Sequence, residues 1–168
     1  MDFFKASEKE VKDIYYNLQL NFSIDEIRSF SSHEKLFLKD NYNVYYLIDE
    51  NKKVGLIILW DFPDFAFLEY LLIFEEYRNL GYGSIALKIL KKRYKRIVLE
   101  AERPIDIIKK RRIDFYLRNG FYISDKEYVQ PSYGENKNSV DMYLLTYPRK
   151  MDCLNIVKEI YKEVYNKA

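Results

Sequence analysis

The chain of 168 residues contains one cysteine, Cys153, and one histidine, His33. A lone cysteine excludes any disulfide within the chain, and a monomer with one residue of each type cannot build a Cys/His zinc site. No metal is expected. A histidine-dependent triad would have to use His33, which has no nucleophile motif beside it and reads as a surface helix residue. Glycine (5) and proline (4) are scarce, and no repeats, low-complexity tracts or linkers are visible. The net charge of +2 lacks the strong positive bias of a nucleic-acid module. The longest clean apolar run, Val54 to Trp60, falls far short of the ~20 residues that span a bilayer. The N-terminus, Met1 to Glu8, has neither the basic start nor the apolar stretch of a signal peptide, so a cytoplasmic protein is expected.

What the chain does have is aromatic side chains: 17 Tyr and 11 Phe in a sequence that is 48% hydrophobic. That excess reads first as a bias of core and surface, and second as stacking on a ligand. The length suits one ordinary domain, able to bury roughly 70% of the surface of its unfolded chain.

Sequence patterns give an order of elements. Phe3 and Phe4 suggest a short strand. Ser7 with Glu10 forms a capping box ahead of a helix to about Leu18, and Ser23 with Glu26 repeats the signature before a second helix carrying Ile27, Phe30 and Leu36. Residues 42–48 and 54–60 are apolar and rich in β-branched and aromatic residues, and the polar link 49–53 makes them a hairpin. A third strand spans 66–74. The chain then turns through Arg78-Asn-Leu-Gly-Tyr-Gly83 into a helix with Ile85, Ala86, Ile89 and Leu90 on one face. Residues 96–102 form a strand. Pro104 suits the first turn of the next helix, which Asn119-Gly120 ends. Strands at 121–123 and 140–146 close the domain around a polar loop at 130–135. Leu154, Val157, Tyr161 and Val164 line one side of a terminal helix, which packs on the domain or on a dimer partner. The domain would occupy residues 1–148 and the amphipathic helix 149–168. The pattern indicates one α/β (α+β) domain with a mixed sheet.

The turn at 77–84 carries the chemistry. Without Cβ atoms, Gly81 and Gly83 let backbone N–H groups close on a bulky anion, and the helix that follows offers unpaired donors and a positive dipole end. A favourable charge there gains roughly 0.3–1 kcal/mol, or about 2 when partly buried. A pyrophosphate is a natural ligand. A P-loop would need a lysine after Gly83, and a dinucleotide fingerprint would need glycine near position 79, where Asn79 sits.

What fits is Arg-x-x-Gly-x-Gly directly after a strand. Residues 68–84 (Leu-Glu-Tyr-Leu-Leu-Ile-Phe-Glu-Glu-Tyr-Arg-Asn-Leu-Gly-Tyr-Gly-Ser) and 112–121 (Arg-Ile-Asp-Phe-Tyr-Leu-Arg-Asn-Gly-Phe) resemble the two motifs of the GNAT superfamily of N-acetyltransferases. The resemblance covers about Tyr42 to Thr146. Glu76 stands in a bend where the family often has proline, and Leu72 is bulkier than usual for its position. The resemblance implies a mostly antiparallel sheet splayed in the middle, with acetyl-CoA as co-substrate and an amine as acceptor. The backbone of Leu71, Leu72 and Ile73 would pair with the pantetheine arm, and the amides of Arg78, Asn79, Leu80, Gly81, Tyr82, Gly83 and Ser84 would hold the pyrophosphate. Tyr116 matches the family position beside the leaving sulfur.

Acetylation of an alkylamine needs a base, because at pH 7 only ~1 part in 2,000 of such an amine is neutral. Glu69 lies two residues before Leu71 and is expected on the same strand face, where an apolar setting would raise its pKa. Glu100 and Glu102 share one face of the next strand and could serve as base or attract a cationic acceptor. A phenol facing a thiolate is an unfavourable full proton donor by roughly 2 kcal/mol, so hydrogen bonding during C–S cleavage is the safer role for Tyr116. The basic clusters at Lys88–Arg96 and Lys109–Arg112 read as solvated helix faces before contacts to the 3′-phosphate of coenzyme A, and last as a nucleic-acid surface. The acceptor pocket is expected between the first two helices, residues 60–65 and residues 130–134. Polyamines, aminoglycosides, amino acids and protein N-termini all remain open as acceptors. The competing class is a non-catalytic module that binds CoA as a sensor, keeping the glycine loop without a working base.

Overall fold

Apolar residues at alternating and at three- to four-residue spacing fold the chain into thirteen elements. In the computed structural model, which describes residues 1–168, these are β1 (Asp2–Lys5), α1 (Val11–Asn21), α2 (Phe30–Leu36), β2 (Tyr42–Asp49), β3 (Lys52–Asp61), β4 (Ala66–Ile73), α3 (Tyr82–Arg93), β5 (Ile97–Glu102), α4 (Ile107–Arg118), β6 (Tyr122–Asp125), β7 (Val129–Gln130), β8 (Val140–Tyr147) and α5 (Leu154–Glu163). The sheet runs β1-β2-β3-β4-β5-β8-β6, with the short β7 also on β8. Every pairing is antiparallel except β4 with β5. No helix is long and apolar enough to cross a membrane.

The sheet separates two apolar clusters. One face packs Ile14 and Leu18 of α1, Leu36 of α2 and Ile160 of α5 on Tyr46, Trp60 and Phe67. The other packs Ala86, Leu87 and Leu90 of α3 and Ile113 of α4 on Ile57, Leu59 and Leu99. β3 carries an unbroken buried run from Val54 to Trp60, as expected of a central strand covered on both faces.

Several boundaries depart from the sequence pattern, each for a local reason. Ser7 and Glu10 form their capping box around a 3-10 turn, Glu8–Glu10, that leads into α1. Ser23 and Glu26 likewise cap only a 3-10 turn, Ile24–Glu26. The α-helix begins at Phe30 with Ser29 as its N-cap, because Ile27 is extended and Arg28 turns into the interior. Pro104 lies ahead of α4, whose N-cap is Asp106, accepting from the amide of Lys109 at 2.8 Å. The polar loop begins with β7, whose Gln130 is buried. Ile85 and Leu154 are exposed, so the buried face of α3 is Ala86, Leu87 and Leu90 and that of α5 centres on Ile160.

His33 is not on the surface. It is 1% exposed, packed against Tyr15, Phe37 and Tyr42. Burial first, and the charge of Arg28 second, pull its pKa down to about 4. The residue works as a neutral core ring.

The feature that positions the site is a β-bulge. The β3–β4 register shifts between Ile58 and Leu59: Ile58 faces Tyr70 while Leu59 faces Leu68, leaving Glu69 as the extra residue. A bulge bends its strand and increases its twist. The pairing of β4 with β5 stops at the same level, after Leu68 and Leu99. From Glu69 to Ile73, therefore, the edge of β4 that faces β5 has no strand partner.

Candidate active site

Where β4 and β5 part, a cleft of about 600 Å³ opens through the sheet. Its walls are Leu68–Ile73 of β4 and Glu100–Glu102 of β5. The turn at 77–83 also lines it, as do Phe22, Gln130, Tyr133 and Met142. Leu71 and Ile73 pack with the α3/α4 side, whereas Leu72 points into the opposite core. The free backbone edge of this segment is the strand-like partner a linear amide-bearing ligand needs.

At the turn, Gly81 adopts φ 84° as the N-cap of α3, and Asn79 is also left-handed at φ 62°. Glycine takes that conformation without steric cost. Gly83 has a different reason to lack a side chain: a Cβ there would lie 3.0 Å from the Phe115 ring, so it lets α4 approach the first turn of α3. The Arg78 side chain is structural. Its Nε donates to the carbonyl of Ile73 at 3.1 Å and its Nη2 to Oδ1 of Asn21 at 2.6 Å, tying the turn to β4 and α1. Arg78, Asn79, Gly81, Tyr82 and Gly83 line the cleft. Leu80 is 63% exposed, and Ser84 borders a separate shallow basic concavity with Lys88, Lys91 and Lys92.

Tyr116 reaches the cleft from the α4 side, stacked edge-on against Phe115 and Phe121. Burial pushes its hydroxyl up to about 12, with Arg112 offsetting only part.

The carboxylates stand on the opposite face. The bulge turns Glu69 away from Leu71, contrary to the same-face expectation, into contact with Trp60 and Tyr133. Its oxygens accept Trp60 Nε1 at 2.8 Å and the Tyr133 hydroxyl at 2.7 Å. Arg28 Nη1 lies 2.6 Å away, off the line of a hydrogen bond, so the contact is an ion pair. Both side chains are nearly inaccessible, at 6% and 1%. Arg28 also donates to the carbonyl of Val164 at 3.0 Å, and its guanidinium stacks 4.5 Å from the Tyr133 ring.

Glu100 is held by two phenols: Tyr128 donates at 2.5 Å, and Tyr165 lies 2.8 and 2.7 Å from its two oxygens. Burial is the larger influence and raises its pKa to about 7, against the lowering effect of those hydrogen bonds. The Tyr165 hydroxyl is 3.4 Å from that of Tyr133, so hydroxyls link Glu100 to Glu69. Glu102 lies on the cleft with Lys109 at 2.7 Å and Arg112 at 3.4 Å.

Tyr133 lies in the segment 130–134 expected to frame the acceptor pocket, and Gln130 lines the cleft with it. No sequence motif pointed to Arg28, Tyr128 or Tyr165 individually, and the abundance of tyrosine was the one hint of the latter two. Residues 60–65 do not reach the cleft. Trp60 is fully buried, Asp61 accepts from Tyr94 and Asn43, and Asp64 and Phe65 border another surface hollow.

The acetyltransferase (GNAT) family model matches residues 10–121. The chain belongs to the GNAT family. Membership implies acyl-CoA-dependent acetyl transfer. The chain is 29% identical over 155 residues to the Bacillus subtilis protein YjbC, which carries an acetyltransferase name, covering 90% of this chain and 78% of YjbC. A GNAT-family structure from Bacteroides thetaiotaomicron superposes over all of both chains with a TM-score of 0.90 at 29% identity. The ribosomal-protein-S18-alanine N-acetyltransferase of Escherichia coli shares the fold, with a TM-score of 0.59 at 18% identity over 92% of this chain and 97% of that one. In GNAT terms, the expected mostly antiparallel sheet flanked by helices is present.

Two stability predictions follow from the buried charges. Replacing Arg28 with Met strands Glu69 without its cation and should cost about 3–5 kcal/mol in urea unfolding, whereas R28M/E69Q should recover most of that loss. Equal losses in the two variants would contradict the pairing. For Glu100 the sign runs the other way. A carboxyl whose folded pKa lies above its ordinary value loses stability as pH rises from about 4.5 to about 7. E100Q should therefore gain on the wild type between pH 5 and pH 8, by on the order of 3 kcal/mol. A difference that stays flat with pH would refute the raised pKa.

Proposed function

We propose that this GNAT protein is an N-acetyltransferase, moving the acetyl group of acetyl-CoA to a primary amine of a small molecule or peptide by direct attack with both substrates bound. One observation carries the reading: the β4–β5 gap joins Tyr116 on one face of the sheet to Glu100 on the other. Donor and acceptor can enter from opposite sides and meet between them.

The fit of the co-substrate rests on the unpaired edge of Leu71, Leu72 and Ile73 and on the turn before α3. Asn79, Gly81, Tyr82 and Gly83 line the cleft and their amides would hold the pyrophosphate, with those of Leu80 and Ser84 at its outer margin, whereas the Arg78 amide is already spent on the Glu75 carbonyl at 3.2 Å. When bound, acetyl-CoA supplies an activated carbonyl and a thiolate leaving group. Glu100, half ionised near neutral pH, takes one proton from the ammonium and frees its lone pair. The nitrogen then forms its bond to the carbonyl carbon as the C–S bond breaks, and the second nitrogen proton ends on sulfur. Tyr116 donates a hydrogen bond to the departing sulfur. At a pKa of about 12, against about 8.5 for a thiol, it does so without surrendering its proton first. Glu69, already engaged by Arg28, Trp60 and Tyr133, holds the wall on which Glu100 stands and keeps negative charge beside it.

Mixing the protein with acetyl-CoA and a panel of amines, and following thiol release, tests the reading. Amine-dependent release is expected, with an inflection in kcat/KM near pH 7 that E100Q removes. Y116F should lower kcat at least tenfold while leaving acetyl-CoA affinity nearly intact. Tight CoA binding with every amine inert would favour a CoA-binding sensor instead.

A further inference from the structure

Four carboxylates border the cleft: Glu26, Glu69, Glu100 and Glu102. Three are accounted for by the chain itself. Glu69 has Arg28, Glu102 has Lys109 and Arg112, and Glu100 has the two phenols. Glu26 has no ion-pair partner. Its Oε1 accepts the hydroxyl and amide of Ser23 at 2.9 and 3.2 Å, and its Oε2 takes no hydrogen bond within the chain. Yet the residue is only 9% exposed. Burial pushes its carboxyl pKa up and the like charge of Glu102 adds to that, while Ser23 and Arg112 offset part. Arg112 itself is drawn to Glu102. A buried carboxylate without a cation is costly, and an incoming cation would relieve it.

The loop carrying Glu26 is fixed to the same wall as Glu100. The Tyr70 hydroxyl donates to the Glu26 carbonyl at 2.5 Å, and Gln130 Nε2 to the carbonyl of Asp25 at 2.9 Å. The Tyr70 hydroxyl lies 3.4 Å from that of Tyr133, which lies 3.4 Å from that of Tyr165, which holds Glu100. Phe22 and Met142 also line the cleft and offer an apolar surface to an alkyl chain.

We infer that the acceptor is a diamine: one nitrogen gives its proton to Glu100 and takes the acetyl group, while a second, still charged nitrogen is held by Oε2 of Glu26. This rests on the N-acetyl transfer proposed above and adds a specificity residue to it. The second nitrogen keeps its protons throughout, so the bonds made and broken are those already given.

Thiol release with saturating acetyl-CoA should be compared for 1-aminobutane, 1,4-diaminobutane and 1,6-diaminohexane. The wild type should favour at least one diamine over the monoamine by thirtyfold or more in kcat/KM. E26Q, in which glutamine preserves the capping box with Ser23, should raise the KM for that diamine at least tenfold. Its kcat should stay within threefold, and its kinetics with the monoamine and with acetyl-CoA should be unchanged. Brisk turnover by the wild type with no diamine preference would overturn the inference alone, without recourse to any variant, as would E26Q acting equally on both amine classes. Failure of every amine to release thiol would overturn the acetyl-transfer reading and this inference with it.

Discussion

The buried ion pair between Arg28 and Glu69 is the constraint on which the rest of the site depends. A carboxylate placed inside a sheet requires a cation and aligned donors, and the chain brings these from three distant segments. Arg28 comes from the stretch between α1 and α2, Trp60 from β3 and Tyr133 from the loop before β8. The Val164 carbonyl beyond α5 then satisfies another arm of the same guanidinium. One interaction thereby ties the start of the chain, its centre and its end around a single bulged residue.

That bulge has a second consequence. It ends the pairing of β4 with β5 after Leu68, so the two strands diverge and the backbone edge beyond Glu69 stays open. The gap passes from the face covered by α3 and α4 to the face covered by α1, α2 and α5. Tyr116 stands on the first side and Glu100 on the second, each with a pKa raised by burial. Terminal residues such as Tyr165 are part of this arrangement, because their hydroxyls hold the carboxylate that faces the cleft.

Much of the fold was legible because it is written in short-range patterns. Short apolar runs rich in β-branched and aromatic residues marked β2, β3 and β4, and the double-glycine turn marked the entry to α3. The Phe115-Tyr116 pair before Asn119-Gly120 marked α4. Long-range features were not legible. Register is set by contacts across the sheet, so no local signal announced that Glu69 would be the extra residue, or that it would face Trp60 instead of Leu71. Ser23 and Glu26 gave a sound capping signature, but the burial of Arg28 interrupted the helix after one turn. Nor did any local signal show that Gly83 also makes room for the Phe115 ring of α4, to which a Cβ would come within 3.0 Å. The tyrosines stand out by number, but the hydroxyl partners of Tyr128, Tyr133 and Tyr165 lie dozens of residues away in sequence.

The open edge of β4 and the turn before α3 are the proposed seat of acetyl-CoA. Backbone hydrogen exchange, measured with and without saturating acetyl-CoA, addresses that directly. Amides at 70–73 and 79–84 should exchange more slowly in the complex, while those of α2, on the far side of the sheet from α3, stay unchanged. Undiminished exchange across both segments at full occupancy would rule out that seat.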